Sequence, residues 1–259
     1  LHSFPTRRSS DLHEYLDFLS GLAVTSLGHS HPKVAEALAR QARTLVHTSN
    51  LYFTEPQVRL AKLLVDNSFA DRVFFCNSGA EANEGAIKLA RKYSFDKYGP
   101  GRYKILTMDN SFHGRTMATL SATAQAKIHK GFEPLVDGFA YLPFGDAAAW
   151  AAALTSEVCA VMVEPIQGEG GVNHPGGEFL RDLVDLCRAR DVLVILDEVQ
   201  VGLGRTGRLF AYQNFDLAPD VMTLAKALAN GFPMGAVLAR EEAAQAFGPG
   251  SHGSTFGGT

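Results

Sequence analysis

Residues 192–197 read Val-Leu-Val-Ile-Leu-Asp, and residues 221–226 read Val-Met-Thr-Leu-Ala-Lys. Each is a short aliphatic run that closes on a charged side chain. Apolar runs without alternation suit strands buried on both faces, as in parallel sheets. Working outward, Val73–Cys76, Ile105–Met108, Val158–Val163 and Met234–Leu238 have the same character. Helical patterns separate them. From Ala80 to Tyr93 the apolar residues Ala82, Ala86, Leu89, Ala90 and Tyr93 recur at helical spacing, and Gly177–Arg190 turns Phe179, Leu180, Leu183, Val184, Leu186 and Cys187 to one side. His31–His47 reads as a further helix opened by Pro32. The alternation predicts an α/β fold: a mostly parallel, mixed central sheet with helices on both faces.

Composition narrows the function classes. With 46% hydrophobic and 20% charged residues and a net charge of -3, the chain is ordinary for a globular protein. That charge gives no reason to expect nucleic acid or a membrane surface as partner. No apolar run approaches the ~18 residues of a membrane span. Cys76, Cys159 and Cys187 are far apart and lack metal-ligand spacing. They read as free thiols of a reducing compartment, so no metal and a cytoplasmic location are expected.

In sheets of this kind ligands bind beyond the carboxyl ends of the strands. Five predicted strand ends carry polar or aromatic residues there: Ser78-Gly79-Ala80, Phe112-His113, Glu164, Asp197 and Lys226. Ser78-Gly79-Ala80 joins a strand to a helix. A glycine lets backbone approach an anion, and a helix start offers free N–H groups and a positive dipole end. A plain N-cap by Ser78 accounts for the same residues. Asp197 follows a buried run and needs a partner; a protonated pyridine nitrogen, a nearby arginine or a helix start would each serve. Lysines are mostly solvated, yet Lys226 also follows a buried run and is the sole lysine within residues 131–259. Desolvation would lower its pKa and make it nucleophilic. Phe112 suits stacking on a flat ring or ordinary packing. Arg115 suits a bidentate grip on a carboxylate or a surface charge. Glu164-Pro-Ile-Gln-Gly-Glu169-Gly-Gly sets two carboxylates on a glycine-rich loop, which is also what a surface turn looks like.

Taken in order, NSGAEANEGAIKLAR (77–91), FHGRT (112–116), VEPIQGEGG (163–171), ILDEVQVGLGRTG (195–207), KALANGFPMGA (226–236) and HGSTFGG (252–258) resemble the class III aminotransferases, a fold-type I family dependent on pyridoxal 5'-phosphate (PLP). The resemblance covers about Leu16 to Gly258. It implies that Lys226 carries the cofactor and moves the reacting proton, and that Asp197 holds the pyridine nitrogen. It implies that Val199 and Phe112 pack on the ring, with His113 beside them, and that Gln200 reaches the 3-oxygen. Ser78, Gly79 and Ala80 would take the phosphate, and Thr255 would reach the phosphate of a neighbouring subunit, so a homodimer with shared sites is implied. Arg115 would bind the α-carboxylate of the substrate, and Glu169 would switch a gating arginine between two substrates.

Within the family, SGLAVTSLGHSHP (20–32) and HTSNLYFTEPQ (47–57) are similar to members that pass the terminal amine of N2-acetylornithine to 2-oxoglutarate. Leu22 falls where ornithine-specific members tend to carry tyrosine. The 4-aminobutyrate, succinylornithine and ornithine enzymes are the nearest alternatives, followed by a PLP aminomutase and a non-catalytic protein of the same fold. Three divisions are expected. Residues 1–12, LHSFPTRRSSDL, resemble a translated sequencing adapter, a native tail being the alternative. Residues 13–48 are expected to belong with a small domain. Residues 49–259 form the large domain, and the C-terminal small domain with the gating arginine is expected to be missing.

Overall fold

A computed structural model describes residues 16–259; the leader expected over residues 1–12 lies outside the described residues. Its centre is a seven-stranded sheet of β1 (Arg72–Cys76), β2 (Lys104–Met108), β3 (Phe139–Leu142), β4 (Val158–Val163), β5 (Leu193–Asp197), β6 (Val221–Leu224) and β7 (Gly235–Ala239). The spatial order is β1-β7-β6-β5-β4-β2-β3. From β6 through β5, β4 and β2 to β3 every pairing is parallel. β7 alone runs against both of its neighbours, β6 and β1. The aliphatic runs at 192–197 and 221–226 become β5 and β6, with Asp197 paired to Thr223 across them.

The helices are α1 (Pro32–Thr44), α2 (Glu55–Asp66), α3 (Gly79–Tyr98), α4 (Met117–Ala122), α5 (Ala147–Ala153) and α6 (Gly177–Ala189), with short helical turns at Ser20–Ala23, Ala126–His129 and Glu241–Ala244. They cover both faces of the sheet, as expected. On one face Leu193, Ile195, Cys159 and Met162 meet Ala82, Ala86, Leu89 and Ala90 of α3. On the other, Val194, Leu196, Val161 and Val163 meet Leu180, Leu183 and Cys187 of α6 and Trp150 of α5. Alternate residues of one strand thus supply two cores, because side chains in a strand point to opposite faces. Both cores are built mainly of aliphatic side chains.

α3 is the element that matters most for the site. Its small residues Ala82, Ala86 and Ala90 are fully buried and recur every four positions, on one side of the helix. The helix lies over β4, β5, β6, β7 and β1 with its start at the carboxyl ends of the parallel strands. Ahead of the sheet the chain is only lightly attached: α1 buries none of its residues. Among the hydrogen bonds that tie this region to the body are Leu27 N–H to Asn230 Oδ1 (2.9 Å), Asn230 Nδ2 to the Gly28 carbonyl (3.3 Å) and Arg205 Nη2 to Ser26 Oγ (3.0 Å). No helix among the described residues is long and apolar enough to cross a membrane.

Candidate active site

The carboxyl ends of β1, β2, β4, β5 and β6 open onto a cleft of about 410 Å³. Ser78, Gly79, Ala80, Phe112, His113, Arg115, Glu164, Asp197, Val199, Gln200 and Lys226 all line it. Elements far apart in sequence reach it because parallel strands all deliver their ends to one edge.

Ser78 is extended (φ -156°, ψ 165°) and its Oγ accepts the Glu81 N–H at 3.1 Å, so it is an N-cap. That satisfies one of the donors at the helix start and leaves the hydroxyl proton and the first N–H groups directed at the cleft mouth. Gly79 is in close contact with the segment after β5: a Cβ there would stand 2.7 Å from Val199 Cγ1. No larger residue fits without a shift.

Asp197 ends β5 and is buried, with 4% relative exposure. An isolated carboxylate there would cost several kcal/mol. Three donors offset this. Asn83 Nδ2 donates to Oδ2 at 2.7 Å, His113 Nδ1 meets the same oxygen at 2.8 Å, and the Val199 N–H donates to Oδ1 at 3.0 Å. Hydrogen bonds to a charged group contribute ~1.5–3 kcal/mol each. His113 is itself buried, and its Nε2 has no hydrogen-bond partner in the structure. Because Nδ1 faces a carboxylate, it is the nitrogen that carries hydrogen.

Glu164 ends β4 and is equally buried. It is not on a surface turn. Its Oε1 accepts the Phe112 N–H at 2.9 Å and Oε2 the Gly168 N–H at 3.4 Å, which ties the loop after β2 to the glycine-rich loop. Burial pushes its carboxyl above the usual range, against the pull of His113, and Asp197 adds to the rise. The neighbouring acid, Glu198, points away from the cleft and receives the Ala211 and Tyr212 N–H groups (2.6 and 2.7 Å). Burial raises its carboxyl to about 7.

Lys226 follows β6 with a left-handed backbone (φ 45°), a conformation non-glycine residues seldom adopt. Desolvation pulls its ammonium pKa below 10.5 and outweighs the opposing attraction of Asp197 and Glu164. A lysine so placed is deprotonated more readily than a surface one. Arg115 is exposed at the rim, with its guanidinium carbon 5.4 Å from the Phe112 ring centroid. Gln200 lies against Gly168, where a Cβ would overlap its amide.

Three predicted site residues stand apart from the cleft. Leu22 is 71% exposed and does not line it; Val24, two residues on, does. Glu169 is exposed on the glycine-rich loop, hydrogen-bonded to Gln125 Nε2. Thr255 lies in a separate depression with His47, Thr48 and Thr259. Its loop is held by Asn77 Nδ2 to Ser254 Oγ (3.2 Å) and Asn50 Nδ2 to the Ser254 carbonyl (2.9 Å). Other cleft residues went unpredicted: Asn83 and the Gly231–Met234 segment. Asn83 had a legible signal, since it follows Gly79 by one helical turn and shares its face.

The comparisons with known proteins agree with this geometry. Residues 8–259 match the family model described as aminotransferase class-III. The chain is 56% identical over 249 residues to an acetylornithine aminotransferase of Caldanaerobacter subterraneus subsp. tengcongensis, covering 96% of this chain and 63% of that one. It superposes with a TM-score of 0.91 and 40% identity on an ornithine aminotransferase of Toxoplasma gondii that has PLP at partial occupancy in its active site, covering 95% of this chain and 59% of that one. For N-acetylornithine aminotransferase from Stenotrophomonas maltophilia K279a the TM-score is 0.81 at 44% identity, with 92% and 60% covered. The chain spans 61% to 65% of the length of the curated relatives it matches. A family match over nearly the whole chain, on a cleft built from that family's motifs, makes the chain a member of the class III aminotransferases.

Proposed function

We propose that the protein moves the terminal amino group of N2-acetyl-L-ornithine to 2-oxoglutarate with PLP as cofactor. One observation carries this reading: Lys226, the buried Asp197 carboxylate and the capped start of α3 meet in one cleft. The curated relatives, 52% to 56% identical and named acetylornithine aminotransferase, support the substrate.

The residues present fit PLP. The Gly79 backbone is bare where a Cβ would strike Val199, which suits a phosphate on the first N–H groups of α3. The buried Asp197 carboxylate holds only hydrogen-bonded neighbours and suits a pyridinium nitrogen. The unpartnered His113 Nε2 leaves room for a polar contact in the same place. Ser78, Gly79 and Ala80 would hold the phosphate, and Phe112 and Val199 the ring. Gln200 would meet the 3-oxygen. When bound, PLP supplies the electron sink that allows a C–H bond beside an amine to break. Lys226 would be the attachment point, because its depressed pKa makes the neutral amine available. The same Nζ would take the proton from the carbon bearing the transferred amine and deliver it to the cofactor carbon joined to that amine. Asp197 would face the ring nitrogen and accept its proton in a hydrogen bond.

Arg115 at the rim would pair with the substrate's α-carboxylate. Glu169 and Leu22 would act at the outer end of the substrate, and residues 13–48 would belong with a small domain. Leu51, Tyr52 and Phe53, 84%, 70% and 94% exposed, form an apolar run that favours a homodimer, with Thr255 serving the partner's site. Within such a dimer the protein would work in the cytoplasm.

A second reading, ornithine as donor, is favoured by the 0.91 superposition on ornithine aminotransferase. Initial rates of the full-length protein on acetylornithine, ornithine, succinylornithine and 4-aminobutyrate, each with 2-oxoglutarate, separate the two. Acetylornithine should be preferred by at least about tenfold in kcat/KM, equal to ~1.4 kcal/mol of transition-state binding; preference for ornithine would replace the reading.

A further inference from the structure

Asn83 is the one side-chain amide that bonds to Asp197, and it lies in the interior of α3, one turn after Gly79. It is 1% exposed and its amide is fully used. Nδ2 donates to Asp197 Oδ2 and to the His113 carbonyl, both at 2.7 Å, while Oδ1 accepts from Thr223 Oγ1 at 2.7 Å. This pattern admits one orientation. Turning the amide over would set Oδ1 against two acceptors, a carboxylate and a carbonyl, with no proton between them. The two acceptors set that orientation, and Thr223, fully buried and paired with Asp197 across β5 and β6, holds it by donating to the Oδ1 turned toward it.

We propose that Asn83 and Thr223 form a positioning relay that fixes the Asp197 carboxylate where it would meet the pyridine nitrogen. The relay rests on the PLP reading above and adds two residues to it. α3 then serves both ends of the cofactor: its first turn offers N–H groups to the phosphate, and the residue one turn later steadies the carboxylate at the ring nitrogen. Removing the Asn83 donor takes away one of the three hydrogen bonds that hold the carboxylate, which is then free to turn and would meet the ring nitrogen less squarely.

The test uses the full-length protein with Asn83→Ala, Asn83→Asp, Thr223→Val, Thr223→Ser and Asp197→Asn. Five readouts are taken: kcat per bound cofactor, KM for the amino donor, the PLP dissociation constant from quenching of protein fluorescence, the pH midpoint of the bound cofactor's visible band, and the melting temperature. Asn83→Ala and Thr223→Val should lower kcat per bound cofactor by about tenfold, the loss appropriate to one charged hydrogen bond. They should also weaken PLP binding and move the midpoint, with KM for the amino donor unchanged. Thr223→Ser keeps the hydroxyl and should behave as wild type. Asn83→Asp puts a second carboxyl beside Asp197, so activity should fall as pH rises and both ionise. A role confined to fold stability would lower the melting temperature and leave kcat per bound cofactor and the midpoint unmoved. That result in Thr223→Val, which keeps the side-chain volume, would overturn the relay. If Asp197→Asn retains wild-type turnover, the PLP reading itself falls; if Asp197→Asn is crippled while Thr223→Val is normal, only the relay falls.

Discussion

Val199 Cγ1 lies 2.7 Å from the point where a Cβ on Gly79 would stand. The first residue of α3 and the segment after β5 are thus in contact across the floor of the cleft. Gly79→Ala should push Val199 aside or lift the helix start, and overpacking of this kind costs ~1–3 kcal/mol. PLP affinity should fall by about tenfold or more, equal to ~1.4 kcal/mol. Adding Val199→Ala should recover part of the loss. Fluorescence titration of the two single variants and the double variant checks this; additive losses would show that the two side chains are not competing for space.

Lys226 makes two predictions. Borohydride reduction of the loaded protein, followed by peptide mapping, should place the cofactor label on Lys226, and Lys226→Ala should abolish transamination. Label on another lysine would sink the assignment. The second concerns stability without cofactor. The folded protein holds the Lys226 ammonium below the ordinary 10.5, so between that lowered value and 10.5 the unfolded chain binds more protons. Stability should rise with pH across that window. Lys226→Met should remove this rise and stabilise the apoprotein most at the acid end. Urea melts across the window measure it, and parallel curves for both proteins would count against a desolvated amine.

Asp197→Asn should lower turnover by about 100-fold, or ~3 kcal/mol of transition-state stabilisation, with a much smaller effect on PLP affinity. An amide cannot carry the charge that keeps the ring nitrogen protonated, whereas the helix start and the cleft walls are untouched. Single-turnover rates and cofactor titration on one preparation separate the two. Equal losses in both would assign Asp197 to binding alone.

Arg115→Lys replaces a planar fork with a point charge and removes the guanidinium from the Phe112 ring, 5.4 Å away. KM for acetylornithine should rise by about tenfold, or ~1.4 kcal/mol, with kcat nearly constant. Half-reaction kinetics provide the check: a defect confined to 2-oxoglutarate would assign the arginine to the other substrate.

What could be read from sequence follows burial. β4, β5 and β6 are continuous apolar runs, and their predicted limits fall within one residue of those found. β3 went unread because it is a half-exposed edge of only four residues, and α2 because Leu64 is its single buried side chain. The reversed direction of β7 was invisible, since Gly-Ala-Val-Leu-Ala has the same hydropathy in either direction. Within the site, Asp197 and Lys226 were legible as charges closing buried runs. Asn83 was passed over inside a helical pattern, where asparagine ordinarily faces solvent, although its one-turn spacing from Gly79 set it on the cleft side. Leu22, Glu169 and Thr255 rested on family resemblance alone, and the cleft of the single chain does not include them.

The row of Ala82, Ala86 and Ala90 has a consequence for how this protein tolerates mutation. These residues let α3 lie directly on the sheet, and Gly85 in the same helix would already crowd Val237 at 3.0 Å if it bore a Cβ. A helix seated on such small side chains has no slack. A variant with one larger residue in that row can keep its two cores and much of its stability while the helix tilts by a fraction of an ångström. The start of that helix is the proposed phosphate cradle, so the tilt is felt first as lost cofactor. Deleterious substitutions along α3 should therefore accumulate as folded, cofactor-poor protein long before they appear as aggregates, and excess vitamin in the growth medium should rescue a share of them.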